Sequence, residues 1–129
     1  APLIAAHKGK YLRDEDGALR LGPGAFISAL EFASGAKAKV VGKPTEAFFR
    51  RALDSFGLCD LTMDQVAMVG DDIQDDCLAA KQLGMLSILV RTGKYTTGDE
   101  FKHEDEPDLV VDDVMAFAKL LDDAKARPG

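Results

Sequence analysis

Val66-Ala67-Met68-Val69-Gly70-Asp71-Asp72-Ile73-Gln74-Asp75-Asp76 decides how this chain is read. A short apolar run ends in a glycine, and four carboxylates follow between positions 71 and 76. The next residues, Cys77 to Leu83, are small or apolar at helical spacing and stop at Gly84. An apolar strand, a tight acidic turn and a helix are the parts of an α/β unit. In open parallel sheets, ligands bind beyond the carboxyl ends of the strands. Hard cations such as magnesium take oxygen ligands, usually one or two carboxylates completed by water and phosphate. The turn therefore reads as a site for a divalent cation.

The flanking sequence extends the same pattern. Upstream, Lys39-Val40-Val41 reads as a strand, Gly42-Lys43-Pro44 as a turn, and Pro44 as the first turn of a helix, where its missing N–H costs nothing. Phe48, Phe49, Ala52, Leu53 and Phe56 form a helical stripe ended by Gly57, and Thr62 can cap the turn into Val66. Ile73, Cys77 and Ala80 form the expected buried side of the third helix. Downstream, Leu86 to Val90 reads as a strand, Arg91 to Gly98 as a polar loop, and Asp99 to Glu106 as an acidic, mobile stretch. Asp108 to Val111 is a last strand. Val114, Phe117, Ala118 and Leu121 line a C-terminal helix, and 124–129 is expected to fray. Apolar strands alternating with helices predict a parallel sheet with helices on both faces.

The first forty residues differ. Leu3 to Ala6 is a brief strand. Lys10 to Arg13 and Ala18 to Leu21 flank Asp14-Glu15-Asp16-Gly17, a hairpin signal. A helix then opens at Pro23 or Gly24, with Phe26, Ile27, Leu30 and Ala33 on one face and Gly35 as its stop. This region is α+β in flavour, and a boundary is expected near Val41.

Composition bounds the function. With a net charge of -6 the chain argues against nucleic acid and anionic membranes, which favour basic surfaces. It contains no apolar run of the roughly 20 residues that span a bilayer, and no secretion leader is read at its start. Cys59 and Cys77 lack Cys-x-x-Cys partners, which fits a reducing, cytoplasmic setting. A catalytic cysteine would need a neighbouring histidine, and His7 and His103 lie far away in sequence.

Lys43 in its Gly-Lys-Pro turn, and Gly70-Asp71 with Asp76 five positions beyond Asp71, resemble the third and fourth motifs of the haloacid dehalogenase (HAD) superfamily. Val40 to Pro44, Val69 to Asp72 and Val90 to Tyr95 are similar to the C-terminal half of capped phosphatases of that superfamily. The resemblance implies an α/β fold: the second half of a HAD-like Rossmannoid core in 42–129, preceded by the end of an α+β cap domain in 1–41. It implies a magnesium-dependent hydrolase that attacks a small phosphorylated substrate through an aspartyl-phosphate. Asp71 matches the metal-binding carboxylate of motif four, Asp76 matches its second carboxylate, and Asp72 is placed to share the role. Lys43 matches the lysine that offsets charge on the nucleophile and the transferring phosphoryl group. Positioning and charge stabilisation are what phosphoryl transfer requires, and a lysine serves phosphate as a point charge.

The superfamily's first motif, Asp-x-Asp-Gly-Thr after a buried strand, has one apparent match, Asp14-Glu15-Asp16-Gly17. The half-polar run Lys8 to Arg13 precedes it, and Ala18 stands where threonine is expected. It is read as a cap hairpin, so no nucleophile is assigned in this chain, and alone it is expected to be inactive. The strand at Val66 then has an unpaired edge, a liability. Self-association or an upstream part of the same protein is expected to cover it.

Two alternatives remain: a non-catalytic interaction module on the same scaffold, and a receiver-type phosphoacceptor domain using Asp112. Only 17 residues follow Asp112, too few for the further strands a receiver needs. The Thr92-Gly93-Lys94 loop, at the same end of the sheet as the acidic turn, is read as a surface loop within reach of substrate or a neighbour.

Overall fold

The computed structural model describes residues 2–43 and 45–127; Pro44, expected in the first turn of a helix, lies outside them. The chain divides into two compact units, 1–59 and 60–129.

In the first unit, β1 (Ile4–Ala5) pairs with β4 (Lys39–Val40) in parallel, and β2 (Tyr11–Arg13) pairs with β3 (Leu19–Leu21) as an antiparallel hairpin. Helix α1 (Pro23–Ser34) has its proline in the first turn and ends at Gly35, whose φ of 69° is the left-handed closure that glycine accepts readily. Helix α2 (Glu46–Ser55) is capped by Thr45, whose side chain accepts from the Phe48 amide.

The expected apolar stripes are present but hardly buried. Phe26 and Leu30 are 63% and 55% exposed, and α1 buries only Gly24, whose amide donates to the Gly9 carbonyl. On α2 only Phe49 is buried, with Phe48 edge-on to it at 5.5 Å between ring centroids. Helical periodicity identified the faces; apart from Phe49 they stay half-buried or exposed.

The second unit holds a three-stranded parallel sheet in the order β5 (Ala67–Gly70), β6 (Leu86–Val90), β7 (Leu109–Val111). Val69 stands opposite Ile88 and Gly70 opposite Leu89, while Leu89 also stands opposite Val110 and Val90 opposite Val111. Side chains alternate between the faces of a strand, and each face here has its own core. Ile73, Cys77 and Leu89 pack together on one side with Leu78, Tyr95 and Val110. Ile88, Val90 and Val111 pack on the other with Val69, Leu109, Ala116 and Phe117. The second core is covered by α4 (Val114–Ala126), capped by the Asp113 carboxylate on the Ala116 amide. Helices therefore do cover both faces of a parallel sheet.

Several local expectations need correction. The segment after the acidic turn is not a plain α-helix: Ile73–Leu78 is a π-helix, and only Ala79–Gln82 (α3) is α-helical. The stretch from Asp99 starts with a packed 3-10 turn, Asp99–Phe101, in which Asp99 and Glu100 are buried. Ala116 and Phe117 make the core contacts of α4, whereas Val114 is 59% and Leu121 46% exposed, and the helix runs to Ala126 instead of fraying from 124. Among the described residues, no helix is long and apolar enough to cross a membrane.

Candidate functional site

The acidic turn hangs from the carboxyl end of β5. Gly70 faces the π-helix, opposite Leu89, and Asp76 packs against it so closely that a Cβ on residue 70 would strike the Asp76 carboxylate. Any side chain there would displace Asp76. Asp76 is 3% exposed, and its Oδ2 accepts from the Asp72 amide at 3.3 Å.

Asp72 builds the π-helix. Its Oδ1 accepts from the Gln74 amide at 3.0 Å and the Asp75 amide at 2.9 Å, and its carbonyl accepts from the amides of Asp76 and Cys77 at 3.0 and 3.2 Å. The bond from Cys77 spans five residues, which is the wide turn of a π-helix, a feature frequent at functional sites. Asp72 Oδ2 lies 3.5 Å from Lys94 Nζ. Asp72 thus caps and shapes the turn that presents Asp71 and Asp76.

Asp71 is half-buried, and its Oδ2 accepts from the Lys94 amide at 2.6 Å. That contact needs Gly93, whose φ of 56° is left-handed and whose Cβ would run into Asp71 Oδ2. Sequence reasoning put the Thr92–Lys94 loop at the correct end of the sheet and read it as a surface loop, and its three residues are exposed. The structure makes its backbone a partner of the acidic turn.

Below the turn, Cys77 is fully buried, and its Sγ lies 4.0 Å from the Gly70 carbonyl. Burial, followed by the negative charges of Asp76, Asp72 and Asp71, pushes its thiol up to about 12. It is a neutral core group, not a nucleophile.

The donors at this turn are carboxylate oxygens, the chemistry that suits a hard cation. Among the described residues, no three His, Cys, Asp or Glu side chains group closely enough to hold a metal by themselves. A magnesium site needs fewer, because the ion keeps several waters and takes one or two carboxylates beside phosphate. Asp71, with one oxygen fixed by an amide, and the buried Asp76 of the same turn are donors of the kind that smaller requirement takes.

Lys43 lies in the first unit, exposed in the turn after β4. That turn is closed by Thr45, whose amide and hydroxyl both donate to the Gly42 carbonyl, at 3.1 and 2.8 Å. Asp14 and Asp16 lie in the β2–β3 hairpin turn. Asp14 Oδ2 accepts from Arg20 Nε at 2.7 Å, its Oδ1 from the Glu15 amide, and Asp16 Oδ1 from the Ala18 amide. Asp112 is 83% exposed at the end of β7 and paired with Arg91 at 3.2 Å.

Comparison with known proteins gives a consistent result. A family model described as HAD-hydrolase-like matches residues 40–117. Haloacid dehalogenase-like hydrolase domain-containing protein 2 of Mus musculus is 48% identical over 112 residues, covering 87% of this chain and 42% of that protein. Among solved structures, p-nitrophenyl phosphatase from Archaeoglobus fulgidus superposes with a TM-score of 0.77 at 34% identity, over 92% of this chain and 46% of the other. Glycerol phosphate phosphatase from Mycobacterium tuberculosis, in complex with magnesium, gives a TM-score of 0.72 at 28% identity, over 90% and 34%. The chain spans less than half the length of each.

Proposed function

This chain belongs to the HAD-like hydrolase family, and from that premise we propose that it carries the metal side of a magnesium-dependent phosphatase site. Asp71 and Asp76 hold the cation, with Asp72 shaping the turn and able to share the role. Magnesium bound there supplies positive charge to the phosphoryl oxygens. Lys43 offsets charge on the nucleophile and on the transferring group, as a lysine does for phosphate. The observation that carries the reading is the pair of carboxylates built onto the carboxyl end of β5, one oxygen of Asp71 fixed by the Lys94 amide and Asp76 seated on Gly70. The family match sets the receiver alternative aside.

The nucleophile, in this reading, is an aspartate outside residues 1–129, at the end of an apolar strand, and it forms the aspartyl-phosphate. Residues 1–41 are the end of a cap, and 42–129 the second half of the catalytic core. The paired, hairpin-bound carboxylate of Asp14 supports leaving it out of the chemistry. Strand β5 has β6 on one side only in the described sheet, which supports a partner along its other edge: the rest of the same protein or a second copy. The substrate is a small phosphorylated compound.

Magnesium-dependent hydrolysis of p-nitrophenyl phosphate tests this. The chain alone should give none. Joined to an upstream segment with an apolar strand ending in Asp-x-Asp-Gly-Thr, it should turn over, and Asp71→Asn and Lys43→Ala should each abolish that activity. Turnover by the chain alone that is lost on Asp14→Asn would contradict the reading. An upstream segment without the motif would instead make the scaffold a non-catalytic interaction module.

A further inference from the structure

Glu100 is a carboxylate that the proposed chemistry does not use, yet it is 7% exposed. Burying a charge is costly unless it is paired and hydrogen-bonded. Its Oε2 accepts from Tyr95 Oη at 2.8 Å, and its Oε1 from Arg91 Nη2 at 3.3 Å. Both partners belong to the loop that reaches Asp71, one on each side of Gly93-Lys94. Arg91 is tied to the sheet edge, its amide donating to the Val111 carbonyl at 3.0 Å and its Nη1 to Asp112. The Tyr95 ring packs against Ile73, Cys77 and Leu89, the core beneath the π-helix. The Tyr95 hydroxyl also accepts from the Gly98 amide at 3.3 Å, and the Tyr95 amide closes on the Thr92 carbonyl at 3.0 Å. Glu100 therefore clamps both ends of a turn whose middle meets the acidic turn twice, through the Lys94 amide on Asp71 Oδ2 at 2.6 Å and the longer, exposed Lys94 Nζ contact with Asp72 Oδ2 at 3.5 Å.

We propose that Glu100 is a positioning residue: through Tyr95 and Arg91 it fixes the Gly93-Lys94 turn, and that turn orients the Asp71 carboxylate. Glu100 is held ionised by its own backbone amide first, then by the Tyr95 hydroxyl and Arg91, so the clamp is intact at neutral pH. With Oδ2 committed to the Lys94 amide, Asp71 offers a cation its other oxygen in a fixed direction. Groups outside a metal's first shell that orient its ligands typically change metal affinity 10–100-fold when removed. The inference rests on Asp71 as a cation ligand for its magnesium arm alone.

The test uses the full chain, with Tyr95→Phe, Glu100→Ala and Glu100→Gln. Tyr95→Phe removes only the hydroxyl and keeps the ring in the core, so it decides the matter if Glu100→Ala fails to fold. Amide exchange at Lys94, followed by NMR without magnesium, should quicken at least about tenfold in Tyr95→Phe and Glu100→Ala, with β6 amides unchanged. Glu100→Gln, which keeps an acceptor for Tyr95, should stay near the parent. Magnesium affinity by calorimetry should fall roughly tenfold in the first two variants. Unchanged Lys94 exchange in both would overturn the proposal. Faster exchange with unchanged magnesium affinity would overturn the orienting role and leave a structural brace. If the parent chain binds no magnesium, the metal reading of Asp71 fails separately, and Lys94 exchange alone decides whether Glu100 positions the turn.

Discussion

Two acidic turns in this chain share a composition and differ in the structure that carries them. Asp14-Glu15-Asp16-Gly17 closes a hairpin whose strands β2 and β3 are exposed along their whole length. Asp71-Asp72 and Asp75-Asp76 follow a strand hydrogen-bonded into a parallel sheet with a core on each face. In the hairpin, the carboxylates are answered by the turn's own amides and by Arg20. At β5, one carboxylate is buried against a glycine and another is gripped by the backbone of a separate loop. A buried strand end fixes where the acidic residues after it point; on a solvated hairpin they serve the turn alone.

The largest expected contrast is steric. Gly70→Ala drives a methyl into the Asp76 carboxylate and should destabilise by about 1–3 kcal/mol, the usual cost of overpacking a filled site. Denaturant midpoints at constant m-value measure it. A cost near zero would mean that Asp76 is not seated as described.

Next is the cap. Asp72→Ala removes an acceptor from the Gln74 and Asp75 amides and should cost about 1 kcal/mol. The loss should be localised, with faster amide exchange over Ile73–Leu78 while β6 stays protected.

Acid sharpens the contrast from another side. In the second unit, Asp108 is held below its ordinary 3.8 by the Ser87 amide first, with Lys81 and the Ser87 hydroxyl adding to it against burial. Asp99 is likewise lowered: burial opposes ionisation, but the Lys102 ammonium and the Thr96 amide outweigh it. Glu100 is held below its ordinary 4.5. A depressed carboxylate contributes its stability above the unfolded-state value and loses it as pH falls through the folded one. Stability of the second unit should therefore decline as pH drops below 4.5, and thermal melts across that range follow it.

The smallest effect belongs to the hairpin. Asp14→Asn weakens an ion pair with Arg20 in which both side chains are well exposed, and should change stability by less than about 0.5 kcal/mol.

Much of the second unit was legible because a doubly covered parallel strand reads as an unbroken apolar run. Leu86 to Val90 is such a run but for Ser87, which is buried and paired with Asp108, and its bounds match the strand. The spacing of Ile73, Cys77 and Ala80 marked the buried side of the next segment. That spacing could not separate a π-turn from an α-turn, since the difference lies in which amides the Asp72 carbonyl and carboxylate receive. The stripes of α1 and α2 were visible, but periodicity says which face is apolar, not what covers it. Glu100 was hidden for a related reason. Nothing local marks an acidic residue for burial, although an aromatic such as Tyr95 in an otherwise polar loop was the available signal. Lys43 and its Gly-Lys-Pro setting were found by family resemblance; an exposed lysine carries no such signal alone.

Magnesium titration of the full chain followed by amide chemical shifts tests the central claim most directly. A saturable response confined to Gly70–Asp76 and Gly93-Lys94 is expected, with the amides of Asp14 to Gly17 unmoved. Shifts centred on the hairpin, or no saturable response at the β5 turn, would contradict it.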